Sequence, residues 1–312
     1  MSTAFYSHSD CRRHEMGRGH PECPQRLDAI NDHLRATGLD VALDMRDAPQ
    51  VDLRDVELAH SSGYVAELRD LLETVRSTGR PRAIDPDTTA GPATWDAVLR
   101  AAGAAVAATD AVIDGEVESA FCAVRPPGHH ATRDQAMGFC FFNNVAIAAR
   151  HALDARGLAR VAIVDFDVHH GNGTEDIIAG DDRMLMVSIF QHPLYPYSGA
   201  VPKGTNMINV PIPPYTKGPD VRDAIEAMWM PRLEAFRPEM IFVSAGFDAH
   251  RDDELGQLGL VEADYAWITR RIKDVADRHA GGRIVSCLEG GYALGALARS
   301  VAAHLRVLAH VD

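Results

Sequence analysis

Asp165, Asp167, His169 and His170 fall within six residues of one another in the stretch VAIVDFDVHHGNG (161–173). Carboxylates and imidazoles at that density are the donors from which proteins build divalent-metal sites, and a metal beside water is a hydrolytic tool. Asp165, Asp167 and His169 alternate at period two, so they share one side if the extended conformation before them persists. Val161 to Val164 are apolar and mostly β-branched, which suits a strand covered on both faces. Gly171 and Gly173 would allow a sharp exit from it. Unpaired carboxylates are rare near a core, which argues against a plain strand end with capping aspartates.

Such side chains need strands and helices to hold them. Apolar runs at SAFCAV (119–124), VAIVDF (161–166), MLMVSI (184–189), MIFVSA (240–245) and RIVSCL (283–288) read as strands. Between them, 93–113, 143–156 and 264–279 carry helical patterns, with Gly115 and Gly157 placed as left-handed C-caps. This alternation predicts an α/β fold, a mainly parallel sheet with helices on both faces. Four of the five runs pass directly into polar, Gly-containing segments: 125–144, 167–173, 246–256 and 289–292. In open parallel sheets ligands bind beyond the carboxyl ends of the strands. His129, His130, Asp165, Asp167, His169, His170, Asp248 and Tyr292 are therefore expected to converge on one sheet edge.

The chain has 312 residues and 46% hydrophobic content, with no repeat, low-complexity block or linker, so one domain over 1–312 is expected. Its five cysteines are scattered without a Cys-x-x-Cys pair, which predicts neither a disulfide framework nor a cysteine zinc site and suits a cytoplasmic setting. No secretory or membrane-spanning signal is present. The net charge of −13 disfavours nucleic acid as a direct ligand and favours cationic partners, although it bears on encounter rather than chemistry. Nothing in the sequence fixes an oligomeric state.

PPGHH (126–130), GFCFFNN (138–144), DFDVHHGNG (165–173), SAGFD (244–248) and EGGY (289–292) occur in an order and spacing that resemble the histone deacetylase family. The likeness is specifically to its class II and bacterial amidohydrolase branches. HPECPQRL (20–27) is similar to the family's HPE-x-P-x-R segment, so the resemblance runs from about residue 4 to about 305. It implies an arginase-like α/β fold, a single catalytic zinc, and hydrolysis of an acyl amide on an amine side chain.

Asp167, His169 and Asp248 supply three protein ligands and leave a position open for water and substrate, the pattern of catalytic rather than structural zinc. The mixed oxygen and nitrogen set also admits iron(II). A dimanganese site would need further bridging carboxylates, but Gly171 and His250 stand two residues after His169 and Asp248, so one metal is favoured. Amide hydrolysis also requires a base for the attacking water and an acid for the leaving amine. The resemblance implies that His130 is the base and His129 its electrostatic partner or the acid. Asp165 would orient His129, and Asn172 would face His130 where class I members carry Asp. A neutral amide leaves His130 less basic. Tyr292, after Gly290 and a Gly291 that together could let its phenol swing, would donate to the developing oxyanion.

The same resemblance puts Gly138, Phe139 and Tyr195 along the channel for the alkyl chain, and makes Arg26 a buried arginine able to bind product acetate, with a structural salt bridge as the other reading. Asp165, Asp167, His169, Ser188 and Ile189 resemble the family's structural potassium site. Leu255 stands where class II members carry the residue that guards the pocket and polyamine-selective members carry Glu. The leading expectation is a zinc-dependent deacylase of acyl-lysine in proteins or peptides. An acetylpolyamine amidohydrolase shares the chemistry, and Asp252, Asp253 or Glu254 turned inward would favour it. A catalytically silent acyl-lysine reader is the third reading, disfavoured because every expected ligand and Tyr292 are present.

Overall fold

The computed structural model describes residues 2–311. Its strands are β1 (Thr3–Ser7), β2 (Leu43–Asp47), β3 (Arg82–Ala83), β4 (Thr89–Ala90), β5 (Ser119–Cys122), β6 (Val161–Asp165), β7 (Met184–Gln191), β8 (Met207–Ile212), β9 (Met240–Ala245) and β10 (Ile284–Leu288). Eight form one sheet in the order β2-β1-β5-β10-β9-β6-β7-β8, with every pair parallel. β3 and β4 make a separate antiparallel hairpin. The expected α/β class and mainly parallel sheet are thus observed.

All five expected strands form, and every residue of β5, β6, β7, β9 and β10 is buried. Coverage by helices on both faces explains their unbroken apolar runs. Each large aliphatic or aromatic side chain buried there stabilises the fold by about 1.5–3 kcal/mol. The expected helices appear at Thr94–Ile113, Asn144–Asp154 and Glu262–Val275. Gly115 and Gly157 follow the first two with φ of +73° and +74°. No described helix is long and apolar enough to cross a membrane.

The four strands whose ends carry polar loops are neighbours in the sheet: β5, β10, β9 and β6. Cys122, Cys287, Ser244 and Asp165 lie in register across them. The chain therefore leaves all four strands at nearly one level, and four loops meet over that row. The outer strands β1, β2 and β8 extend the sheet without contributing a metal-ligand candidate.

Candidate active site

Asp167 and His169 lie two and four residues beyond the end of β6, and Asp248 three beyond the end of β9. Among the described residues they form the one group of such donors whose ligand atoms all lie within 4.8 Å of one another. His169 Nδ1 lies 3.1 Å from Asp167 Oδ1 and 3.2 Å from Asp248 Oδ2. Both aspartates are buried. Backbone amides aim them: Gly290 donates to Asp167 Oδ2 at 2.8 Å, and Val168 to Asp248 Oδ1 at 2.9 Å. Burial together with the charge of Asp167 pushes Asp248 up to about 7. Burial also opposes the charge of Asp167, but His129 and His169 hold it below the usual carboxylate range. Two buried carboxylates that repel each other around one imidazole nitrogen fit a divalent cation, and the donor set suits zinc or iron(II).

Gly290 must be glycine for steric reasons, because a Cβ there would come within 2.0 Å of Asp248 Oδ2. Gly171, at φ −73° and ψ 62°, centres a three-residue turn that Asn172 N–H closes onto His170 O at 2.8 Å, the sharp exit expected from sequence. It also makes room: a Cβ would sit 2.3 Å from Asp165 Oδ2.

The tandem histidines occupy the turn after β5, with ring centroids 4.0 Å apart. His129 Nδ1 lies 3.0 Å from Asp165 Oδ2, and His130 Nδ1 2.8 Å from Asn172 Oδ1, the two pairings expected. Their protonation diverges. Burial works against a charged His129, yet Asp167 and Asp165 outweigh it and raise the ring to about 10. Burial, reinforced by the charges of His129 and His169, holds His130 well below the ordinary histidine value. Their surroundings thus push the two neighbouring rings in opposite directions.

Glu289, the residue that sequence reasoning passed over, fixes this turn. It is buried at the end of β10 and accepts from the backbone amides of Gly128 at 2.7 Å and His129 at 3.1 Å. Its signal was a carboxylate closing an apolar strand, the same signal that drew attention to Asp165. Gly290 and Gly291, expected to be loose, are pinned. Phe247 N–H donates to Gly290 O at 2.9 Å, and Arg26 Nε donates to Gly291 O at 2.7 Å. Arg26 is fully buried and also engages Glu289 O and, at 3.2 Å, Glu22 Oε1. All three guanidinium nitrogens thus serve the protein, which matches the structural reading of this arginine. Its Cζ lies 4.9 Å from the Tyr292 ring centroid. Burial keeps the Tyr292 phenol protonated far above neutrality.

A pocket of about 580 Å³ opens above these groups, lined by His130, His169, Tyr292, Gly138, Phe139, Tyr195 and Leu255 among others. Phe139 meets the Tyr292 ring edge-on at 6.0 Å, and Tyr195 meets His130 at 5.2 Å. Gly138 adopts φ +56° and lies so close to His130 that a Cβ would be 2.6 Å from the ring. The turn between β3 and β4 holds this segment, Asp85 Oδ2 accepting from Gly138 N–H and Thr88 Oγ1 from Phe139 N–H. His20, Asp87, Leu194 and Tyr197 also line the pocket and were not foreseen, since each sits in a loop without periodicity. Of the three acids after Asp248, Asp253 is buried against backbone amides, Asp252 lies 3.5 Å from Arg299, and Glu254 is exposed. Ser188 and Ile189 are buried in β7, with Ser188 in register with Asp165.

The histone deacetylase domain model matches residues 20–308. A histone deacetylase-like amidohydrolase of Pseudomonas aeruginosa is 38% identical over 281 residues, covering 88% of this chain and 73% of that protein. Histone deacetylase 14, chloroplastic, of Arabidopsis thaliana is 37% identical over 312 residues, covering 94% of this chain and 74% of that protein. The crystal structure of the HDA15 HD domain superposes with a TM-score of 0.91 at 32% identity, covering 100% of this chain and 90% of that one. Likeness in sequence and fold thus extends over nearly every residue that builds the pocket, and the chain belongs to the histone deacetylase family of hydrolases and amidohydrolases.

Proposed function

We propose that the chain is a zinc-dependent deacylase that hydrolyses the acyl amide of N-ε-acyl-lysine in proteins or peptides. The observation that carries this reading is the meeting of His169 Nδ1 with two buried carboxylates on the floor of a pocket that His130 and Tyr292 also line. Asp167, His169 and Asp248 would hold one zinc ion, with iron(II) as the other metal the donors suit. Bound there, the ion would supply Lewis acidity toward the amide carbonyl and lower the pKa of a water.

The side chains supply the rest. His130, neutral because it is buried between two other histidines, takes the proton of the attacking water at its free Nε2. His129, charged and held by Asp165, steadies the negative charge that accumulates beside it. Tyr292, still protonated, donates to the amide oxygen as it becomes an oxyanion, an interaction that strengthens only toward the transition state. The leaving amine then recovers a proton from the histidine pair. Phe139 and Tyr195 flank the alkyl chain and keep water off it. Asp165 and Ser188, with backbone carbonyls of Asp167, His169 and Ile189, would hold a structural potassium ion. Five free cysteines suit a reducing compartment such as the cytoplasm.

Leu255 in the pocket wall favours an uncharged lysine chain over a polyamine, whose secondary ammonium would find no partner there. The polyamine reading draws instead on Asp87, an exposed carboxylate at the mouth. The deciding experiment measures kcat/KM on zinc-reconstituted enzyme for acyl-lysine peptides, N-acetylputrescine and N8-acetylspermidine. Acetyl-lysine peptide is expected to be the faster substrate, and a preference for the acetylpolyamines would overturn the substrate assignment. An apoenzyme that stays inactive with every metal tried would instead favour a silent reader.

A further inference from the structure

Asp253 is 6% exposed, and no cation pairs with it among the described residues. Three backbone amides hold its carboxylate: Oδ2 accepts from Tyr292 N–H at 2.6 Å and Ala293 N–H at 2.9 Å, while Oδ1 accepts from Leu255 N–H at 3.0 Å. The first two donors belong to the Gly-Gly-Tyr loop and the third to the loop after Asp248. Ala293 precedes the helix Leu294–Leu308 and offers no side-chain cap, so a carboxylate from another loop takes that place. From the opposite side Arg26 grips Gly291 O. The backbone on either side of the Tyr292 phenol is thus clamped.

We infer that Asp253 is a positioning residue that locks the Tyr292 phenol and the Leu255 rim into one rigid unit. Charge-assisted bonds to amides are strong and directional, and a buried carboxylate without them would be costly. The consequence is that the oxyanion donor and the residue that screens substrates are set by one side chain, which is neither among the metal-ligand candidates nor in the lining of the pocket. The inference rests on the reading of Tyr292 as the donor to the amide oxygen.

The test uses the metal-loaded full chain and an acetyl-lysine peptide, comparing D253A, D253N, Y292F and D253A/Y292F. D253A should lower kcat roughly 10- to 10²-fold at unchanged metal content, a share of what losing the donor itself costs. In the Y292F background the same substitution should lower kcat by no more than about twofold, because the two residues act as a unit. D253N has one carbonyl oxygen, best used on the Tyr292 and Ala293 pair, and its amide nitrogen then faces Leu255 N–H. It should recover most of kcat while KM rises several-fold. A wild-type kcat in D253A, or a loss that multiplies fully with that of Y292F, would overturn the inference. Should D253A fail to fold, D253N decides: raised KM at retained kcat supports the inference, and wild-type values for both sink it. A wild-type kcat in Y292F is a separate result, which removes the reading of Tyr292 and the inference with it.

Discussion

The floor and the rim of the pocket are built on different terms. On the floor, Asp167, His169 and Asp248 stand within a few residues of strand ends, and backbone amides hold both carboxylates. On the rim, Phe139, Tyr195, Tyr197 and Leu255 ride on loops, with Phe139 and Tyr197 in the left-handed region at φ +70° and +61°. Tyr197 is 75% exposed, whereas Asp248 is fully buried. Sheet ends give the reacting groups fixed positions, and loops leave the substrate-facing groups free to vary. Chemistry and selectivity are therefore expected to separate when the substrate-facing side chains themselves are mutated, with Asp253 the point at which the two are tied.

The largest effect should come from the floor. Chelation, or His169→Ala, should reduce turnover on the order of 10³-fold or more, with zinc restoring the chelated enzyme at about one metal per chain. Two metals per chain, each required for activity, would break the mononuclear reading. Next come the groups above the floor: Tyr292→Phe should lower kcat roughly 10²- to 10³-fold, and His130→Ala roughly 10²- to 10⁴-fold, with folding intact. Asn172→Asp is subtler. His130 sits below the ordinary histidine value and would have to be neutral to act as the proposed base, so wild-type kcat/KM should persist into mildly acidic buffer. A carboxylate partner would raise that ring, and the acid limb of the profile should move up by about one pH unit. An unmoved limb would show that another group controls it. The rim should give the smallest change: Leu255→Glu is expected to narrow the acetyl-lysine to acetylpolyamine ratio by several-fold while kcat on the peptide stays within about threefold. A collapse of kcat there would mean that floor and rim are not separable.

The same contrast governs what the sequence discloses. The central strands are legible because coverage on both faces demands unbroken apolar runs such as MIFVSA, and the four polar exits that follow locate the site. β2, LDMRD, escapes notice because the edge strand is partly exposed and mixes charge with apolar residues, and β8 contains Pro211. The metal-ligand candidates and histidines are legible from their types and spacing. The roles of Glu289 and Asp253 are not, since their partners are amides of loops up to 161 residues away; the strand-closing carboxylate of Glu289 marks its position but not what it holds. His20 and Asp87 reach the pocket only because the loop before the helix Gln25–Thr37 and the turn between β3 and β4 meet over it, with His20 Nε2 3.1 Å from Asp87 O. Glycines hide a second use: Gly171 forms the turn it reads as, and it also supplies clearance that no sequence pattern shows.

That clearance sets a rule for engineering a hardier variant. Replacing glycine by alanine commonly stabilises a protein by about 0.4–1 kcal/mol, because the unfolded chain loses freedom. Gly63, in the helix Ser62–Thr78 with nothing within 4 Å of a built Cβ, is a sound candidate, and a Tm rise on Gly63→Ala would show it. Gly246 and Gly290 look equally replaceable by backbone angle, yet a methyl at either would displace a carboxylate, from Asp167 at 2.1 Å or Asp248 at 2.0 Å. A thermostability library blind to that distinction would accumulate well-folded proteins unable to load the proposed metal.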